Sequence, residues 1–469
     1  MYCPVFSDIP LTAARWFFLI NVVVAAWLYG GTREWTRTTI SFLLIANTIL
    51  FLVGLAARRR WPRLPGAVAL GVFVLLIQAW FLTWNAKSRF IEAAQVFVRR
   101  EQPLPGWPGF MDTALVLPSV LLATGILGAF CISCDLASNR VWRDRVSVTL
   151  AATGLSLVVL GLAQRLTNAP SIFWDLDSNL GETFFSVFRY HANAGAFINL
   201  VLPLMTALAA KNWMIAGNEK ARVFWTLATL LSAAAGFVNV SRAANVICAV
   251  LLIGMGISLS LLAMKSFKRF GNLAGVGLAL TLTALVVILA FSFGLEKTQS
   301  RWELGFWKTT FQEDGRYQAY QVIAASALPE AGSLGFGPGT FEKMFEIHRN
   351  KSGSAVAGRW DKAHSDALQT PMEWGWLGAG VWFALLFCAI VRAVSCAIQK
   401  NLGEGRILAA GCAFSLVGIV AHALVDFPFQ IPSLGLYAMT IAGLAWGMNP
   451  RGARDEKNKI HVRSERAKV

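Results

Sequence analysis

The chain has 469 residues, of which 56% are hydrophobic and only 14% charged, and a formal net charge of +16. That balance excludes a soluble domain with a wetted surface and reads as an integral membrane protein. The basic residues are scattered over many short segments instead of forming one stripe, so the charge argues against a nucleic-acid partner.

A bilayer core about 30 Å thick takes roughly 20 apolar residues per helix, and twelve runs of that kind follow one another. Their limits are Leu11 to Gly30, Thr39 to Ala57, Pro65 to Trp84, Asp112 to Ile132, Val146 to Gln164, His191 to Ala210, Val223 to Val240, Ala243 to Met264, Asn272 to Gly294, Glu373 to Val391, Ile407 to Leu424 and Ser433 to Gly447. The runs are helix-length and do not alternate, which predicts a helical bundle rather than a barrel. The last two are the weakest. Cations follow the even-numbered spans: Arg58, Arg59, Arg60 and Arg63 after the second, Arg140, Arg143 and Arg145 after the fourth, Lys211, Lys220 and Arg222 after the sixth, Lys265, Lys268 and Arg269 after the eighth, and Arg392, Lys400 and Arg406 after the tenth. Short loops rich in Lys and Arg stay cytoplasmic, so both termini are expected inside, with 450–469 a basic cytoplasmic tail. No cleavable signal peptide is expected, because the first span is long and lacks a basic flank.

Cys131 and Cys134 form a C-x-x-C at the inner end of span four, with no second pair or nearby histidine to complete a metal site, and read as structural filler. No cysteine falls in an outside loop, and no disulfide is expected there. Tryptophans near span ends, such as Trp84, Trp374 and Trp376, fit an interfacial belt.

Chemistry is expected in the polar segment Leu295 to Met372, between spans nine and ten. Trp302, Phe306, Trp307 and Thr310 recur at helical spacing and predict an amphipathic helix on the membrane surface. Arg316 to Leu328 reads as a second helix, stopped by Pro329. Gly335-Phe336-Gly337-Pro338-Gly339 lacks the Lys and Ser/Thr of a nucleotide loop and reads as a tight turn. Apart from Arg15 the spans hold essentially no charge, which weakens an ion-coupled transporter or flippase. Polar groups collect on the outer side instead: Arg189, Tyr190 and His191, then Ser241 and Arg242 in a short hairpin with Asn239 and Asn245, then Arg316 and His364. An imidazole suits a general base near neutral pH, and guanidinium groups grip phosphate oxygens. One histidine and two or three arginines on one face would suit a reaction with a pyrophosphate leaving group.

Five segments carry a resemblance: Arg189-Tyr190-His191-Ala192-Asn193-Ala194-Gly195-Ala196-Phe197, Val240-Ser241-Arg242-Ala243, Asp314-Gly315-Arg316, Leu334 to Phe341, and His364-Ser365-Asp366-Ala367-Leu368-Gln369 to Glu373-Trp374-Gly375. In this order they resemble the O-antigen ligase and O-antigen polymerase superfamily over about residues 185–440. The resemblance implies a single glycosyltransferase domain, an all-α polytopic integral membrane protein with about 12 transmembrane helices and a large, partly helical periplasmic loop, 295–372, between helices 9 and 10. It implies a bacterial inner-membrane location, with the active site facing the periplasm. Its expected partners are an undecaprenyl-pyrophosphate-linked glycan donor and a lipid A-core or growing-glycan acceptor, in addition to membrane lipids. Family positions carry over to Arg242 and Arg316, which would neutralise the departing pyrophosphate, and to His364 as general base, with inversion at the sugar carbon. Arg189 would orient the donor. No cofactor and no metal are implied. Two departures stand out: Ser365-Asp366 where the family usually has Asn after the histidine, and Asp175-Leu176-Asp177, a D-x-D able in principle to bind a divalent cation.

Overall fold

The computed structural model describes residues 9–177, 180–214, 218–266, 315–353, 356–399 and 402–448. Described helices coincide with eleven of the twelve predicted spans. These are α1 (Ile9–Trp27), α2 (Glu34–Ala57), α3 (Gly66–Trp84), α4 (Thr113–Ala137), α5 (Arg140–Leu166), α6 (His191–Met214), α7 (Glu219–Val238), α8 (Arg242–Ser266), α12 (Asp366–Ile398), α13 (Gly405–Val425) and α14 (Pro432–Gly447). Among the described residues nine of them, all but α8 and α14, are long and apolar enough to cross a membrane. The ninth predicted span and the amphipathic helix expected around Trp302 lie outside the described residues. Between α8 and α12 run α9 (Arg316–Val322), a π-helical turn (Ile323–Ala327), α10 (Leu328–Ala331) and α11 (Phe341–Lys351).

Caps set several helix starts. Asp112, Asn139 and Asn218 each accept a backbone N–H from the first turn of α4, α5 and α7, supplying partners to amides that have none within the helix. The helices run beyond the apolar stretches, so Arg37 and Asp135 belong to the ends of α2 and α4. α14 is short and weakly apolar because it does not face lipid. Nearly every residue from Pro432 to Ala445 is buried, and its glycines let α4 come close: a methyl group on Gly447 would stand 2.0 Å from the Cys134 carbonyl, and one on Gly443 2.7 Å from that of Phe130. Small residues permit such approach where no hydrophobic force drives helices together. Cys131 and Cys134 are free thiols on α4.

The expectation of an all-α chain needs one correction. Ser88–Ile91 (β1) and Val96–Arg99 (β2) form an antiparallel hairpin between α3 and α4, and the Asp112 carboxylate that caps α4 also accepts the Phe90 N–H at 2.7 Å. A second correction concerns Pro329. It does not stop the helix: the run passes through the π-helical turn just before it, and the chain turns away only at Gly332, φ +58°.

The described loops sort to two ends. Trp27 and Tyr29, before α2, meet Phe173, before α6; Met111 donates its N–H to Phe336 O at 2.8 Å; Tyr190 meets Phe427, between α13 and α14. At the opposite end Arg60 pairs with Asp135, Arg140 with Glu404 and Lys211 with Asp144. Odd-numbered connections therefore share one end and even-numbered ones the other, as a multi-pass bundle requires.

α12 breaks at Gly375 (φ +67°, ψ +175°). A broken helix leaves carbonyls and amides unpaired, which must find other partners. The glycine-rich segment provides them: the Phe336 and Gly337 N–H groups donate to the Met372 and Glu373 carbonyls at 3.1 and 2.8 Å, while the Trp376 and Leu377 N–H groups donate to Gly332 and Ser333 O at 3.2 and 3.0 Å. Gly335, Gly337 and Gly339 all have positive φ. The tight turn read from the sequence is therefore a backbone splice that ties the start of α12 to the segment carrying α9, α10 and α11.

Candidate active site

His364 sits two residues before α12 with a left-handed backbone, φ +53°, a region that histidine tolerates better than most side chains. Three contacts fix that turn. Tyr320 Oη, from α9, donates to His364 O at 2.6 Å; Ala363 N–H donates to Gln369 Oε1 at 3.0 Å; Asp366 N–H donates to Asp426 O at 3.1 Å. The imidazole is thereby aimed at the Asp426 carboxylate, with Nδ1 3.3 Å from Oδ1. Asp426 is almost fully buried, whereas the histidine side chain keeps 26% of its surface open. With Nδ1–H given to the carboxylate, Nε2 carries the lone pair, the arrangement a general base needs.

Aromatic rings enclose the imidazole. Phe427 stands edge-on at 4.9 Å, Trp360 at 5.9 Å and Tyr190 at 6.2 Å. Tyr190 in turn stacks on Phe427, the planes within 1° at 5.8 Å, and its hydroxyl accepts from Arg316 Nη2 at 3.4 Å. Burial, with the negative charge of Asp426, pushes the Tyr190 phenol up to about 12, against a smaller opposing effect of Arg316. The phenol therefore stays protonated and serves as a polar contact rather than a base.

Of the residues singled out in the sequence, His364 and Arg316 are brought together through Tyr190. Arg242 opens α8 at the same end. Its hairpin is tied to α6 by Asn239 Nδ2, which donates to His191 O at 2.9 Å, one residue from Tyr190; Arg242 joins the group by position rather than through a described contact with His364. Arg189 is exposed and stands outside the cluster. In the D-x-D, Asp175 Oδ1 accepts the Asp177 N–H at 3.1 Å, and both residues are exposed. That is the geometry of a surface turn.

Asp426, Phe427 and Tyr320 are the residues the sequence reading missed. One signal pointed to Asp426: it follows the apolar run of α13, at a helix C-terminus where the backbone dipole disfavours a carboxylate. Asp366 gains a role as well. Fully buried, it accepts the Phe429 N–H at 2.8 Å and Gln430 Nε2 at 3.0 Å, stapling the Asp426–Gln430 turn to α12.

Beyond that turn lies a cavity of about 120 Å³. Polar Arg37, Glu373 and Gln430 and apolar Leu122, Ile126 and Leu386 are among the residues that line it. A wider hollow of about 410 Å³ beside β2, at Arg99 and Gln102, shares no residue with the histidine cluster. No protein-family model matches the chain, and no curated protein matches it.

Proposed function

We propose that the chain is a glycosyltransferase of the O-antigen ligase kind, moving glycan from undecaprenyl pyrophosphate to lipid A-core at the periplasmic face of the bacterial inner membrane. The observation that carries this reading is the His364–Asp426 pair, with Arg316 one tyrosine away, at the end of a membrane bundle that also gathers Arg242. His364 Nε2 takes the proton of the acceptor hydroxyl as its oxygen attacks the anomeric carbon. The bond from that carbon to the pyrophosphate oxygen breaks, its electron pair leaves with the phosphate, and the carbon is inverted. Arg316 and Arg242 hold the departing charge, and Asp426 stabilises the imidazolium. The cavity lined by Arg37 and Leu386 joins charged and apolar side chains, a mixed lining that suits a short lipid segment of donor or acceptor.

The test is transfer by purified protein in vesicles. His364→Ala is expected to lower the rate 10²- to 10⁴-fold, the usual contribution of a general base, and Arg316→Ala and Arg242→Ala to remove most transfer, with all three variants inserted and monodisperse. Wild-type rates in His364→Ala would dismiss the mechanism. EDTA is expected to leave activity intact; loss restored by Mg²⁺ or Mn²⁺ would shift attention to Asp175 and Asp177. The alternative acceptor, a growing glycan, would make the protein an O-antigen or exopolysaccharide polymerase with the same chemistry. Deleting a ligase strands long glycan on the carrier and leaves the core bare, whereas deleting a polymerase leaves one repeat unit on the core. Movement of lipid-linked glycan across vesicles without product would identify a transporter.

A further inference from the structure

At the end of the bundle opposite His364, three described cations are matched by carboxylates. Arg60 Nη2 contacts both oxygens of Asp135 at 2.8 and 2.7 Å, Arg140 pairs with Glu404, and Lys211 with Asp144. Arg15 and Arg145 are different. Among the described residues no carboxylate pairs with either; what they meet is a pair of indoles. Trp16 and Trp142 pack edge to face at 5.4 Å. Arg145 lies 4.9 Å from the Trp16 ring and 4.6 Å from the Trp142 ring, and Arg15 lies 5.4 Å from Trp142.

An aromatic face attracts the positive charge but accepts little from the in-plane N–H groups of a guanidinium. Arg15 Nε is shielded from solvent and has no hydrogen-bond partner. Its position makes this costly. It stands within α1, a helix long and apolar enough to cross a membrane, where an unmatched charge is expensive. It feels one carboxylate, Asp135, already engaged by Arg60, and the repelling Arg60, Arg58 and Arg63. The site thus has unsatisfied donors, excess positive charge and an apolar, lipid-facing wall, since Trp16 is 47% exposed.

We propose that Arg15 and Arg145, framed by Trp16 and Trp142, seat the phosphate of an anionic phospholipid of the leaflet at this end. The phosphate oxygens accept the guanidinium N–H groups left over by the ring contacts, and its charge offsets the arginine excess. The acyl chains run along the exposed faces of α1 and α5. A second lipid phosphate so placed is remote from the histidine cluster and does not depend on the activity proposed above.

The experiment uses delipidated full-length protein in detergent, with the thermal unfolding midpoint followed as phosphatidylglycerol, phosphatidylcholine or inorganic phosphate is added. Phosphatidylglycerol is expected to raise the midpoint by preferential binding to the folded state, and the other two to leave it unchanged. In Arg15→Gln/Arg145→Gln the concentration for half the effect is expected to rise about 25-fold, roughly 5-fold per arginine at a lipid surface. An unchanged half-effect concentration overturns the proposal, as does an equal response to phosphatidylcholine (no charge recognition) or to inorganic phosphate (an anion site without lipid). Should the double variant fail to fold, Arg145→Gln, at an exposed position, is expected to show the roughly 5-fold change alone, and no change there overturns the proposal.

Discussion

In the proposed mechanism Asp426 does not reach the reacting atoms and acts through His364. Its replacement therefore separates chemistry from binding. Asp426→Asn keeps the shape and the Phe427 N–H bond to Oδ1 but removes the charge that balances an imidazolium, so kcat is expected to fall roughly 10- to 10³-fold, with the KM for donor little changed. Asp426→Glu should recover part of it. A larger change in KM than in kcat would mean that Asp426 shapes the pocket only. Tyr190→Phe breaks the long contact with Arg316, and donor KM is expected to rise about fivefold, the net worth of one ordinary hydrogen bond. Because Tyr190 stays protonated up to about 12, any alkaline loss of activity below that pH should persist in the phenylalanine variant. Arg316 and His364 were legible from the sequence as polar groups in a polar segment set among apolar runs. Asp426 was not: it lies 62 residues from His364 at the end of an apolar run, and one chain carries no signal linking residues that far apart.

The splice between the glycine-rich turn and the α12 break makes a prediction about elements. A methyl group on Gly335 would meet Glu373 O at 2.3 Å at φ +80°, a backbone region costly for any other residue. Gly335→Ala is expected to destabilise by about 2 kcal/mol or more, seen as a lower unfolding midpoint; an unchanged midpoint would show that this segment is not tied to α12 as described. The turn was readable from its glycines and proline, whereas the partner that needed it was not, since nothing in an apolar helix announces where its hydrogen bonds will break. The β1–β2 hairpin was overlooked for a related reason, its short apolar alternation being outweighed by the long helical runs around it. α11 has its own titration behaviour. His348 is buried, with Nδ1 2.8 Å from Ser326 Oγ, and burial lowers its pKa from the usual 6.5 despite the nearby Glu330. The sign follows: the neutral ring is the folded form, so its contribution is complete above pH 6.5 and is lost as pH falls through the depressed value. Stability of the wild type should decline over that acidic range more steeply than that of His348→Gln. Parallel curves would exclude His348 as a source of acid sensitivity.

At the scale of the whole molecule, the alternation of loops between two ends turns a charge pattern into a spatial one, because Arg60, Arg140 and Lys211, which follow different even-numbered spans in the sequence, come to the same end. Cysteine labelling decides which end faces outward. In a cysteine-free background, Ser352→Cys, exposed after α11, is expected to react in intact cells with a reagent that crosses the outer but not the inner membrane; protection would invert the topology. The same alternation governs assembly. His364 comes from the polar segment before α12, Tyr190 from the connection before α6, and Asp426 and Phe427 from the connection between α13 and α14. Membrane helices enter the bilayer in order of synthesis, so the segment bearing His364 and the helix after it precede the connection that bears the carboxylate orienting the imidazole. Until α13 and α14 arrive, the growing protein holds an imidazole without its acid and a ring without its stacking partner. On the function proposed above, a chain inserted only as far as α12 would lack the pair that does the chemistry.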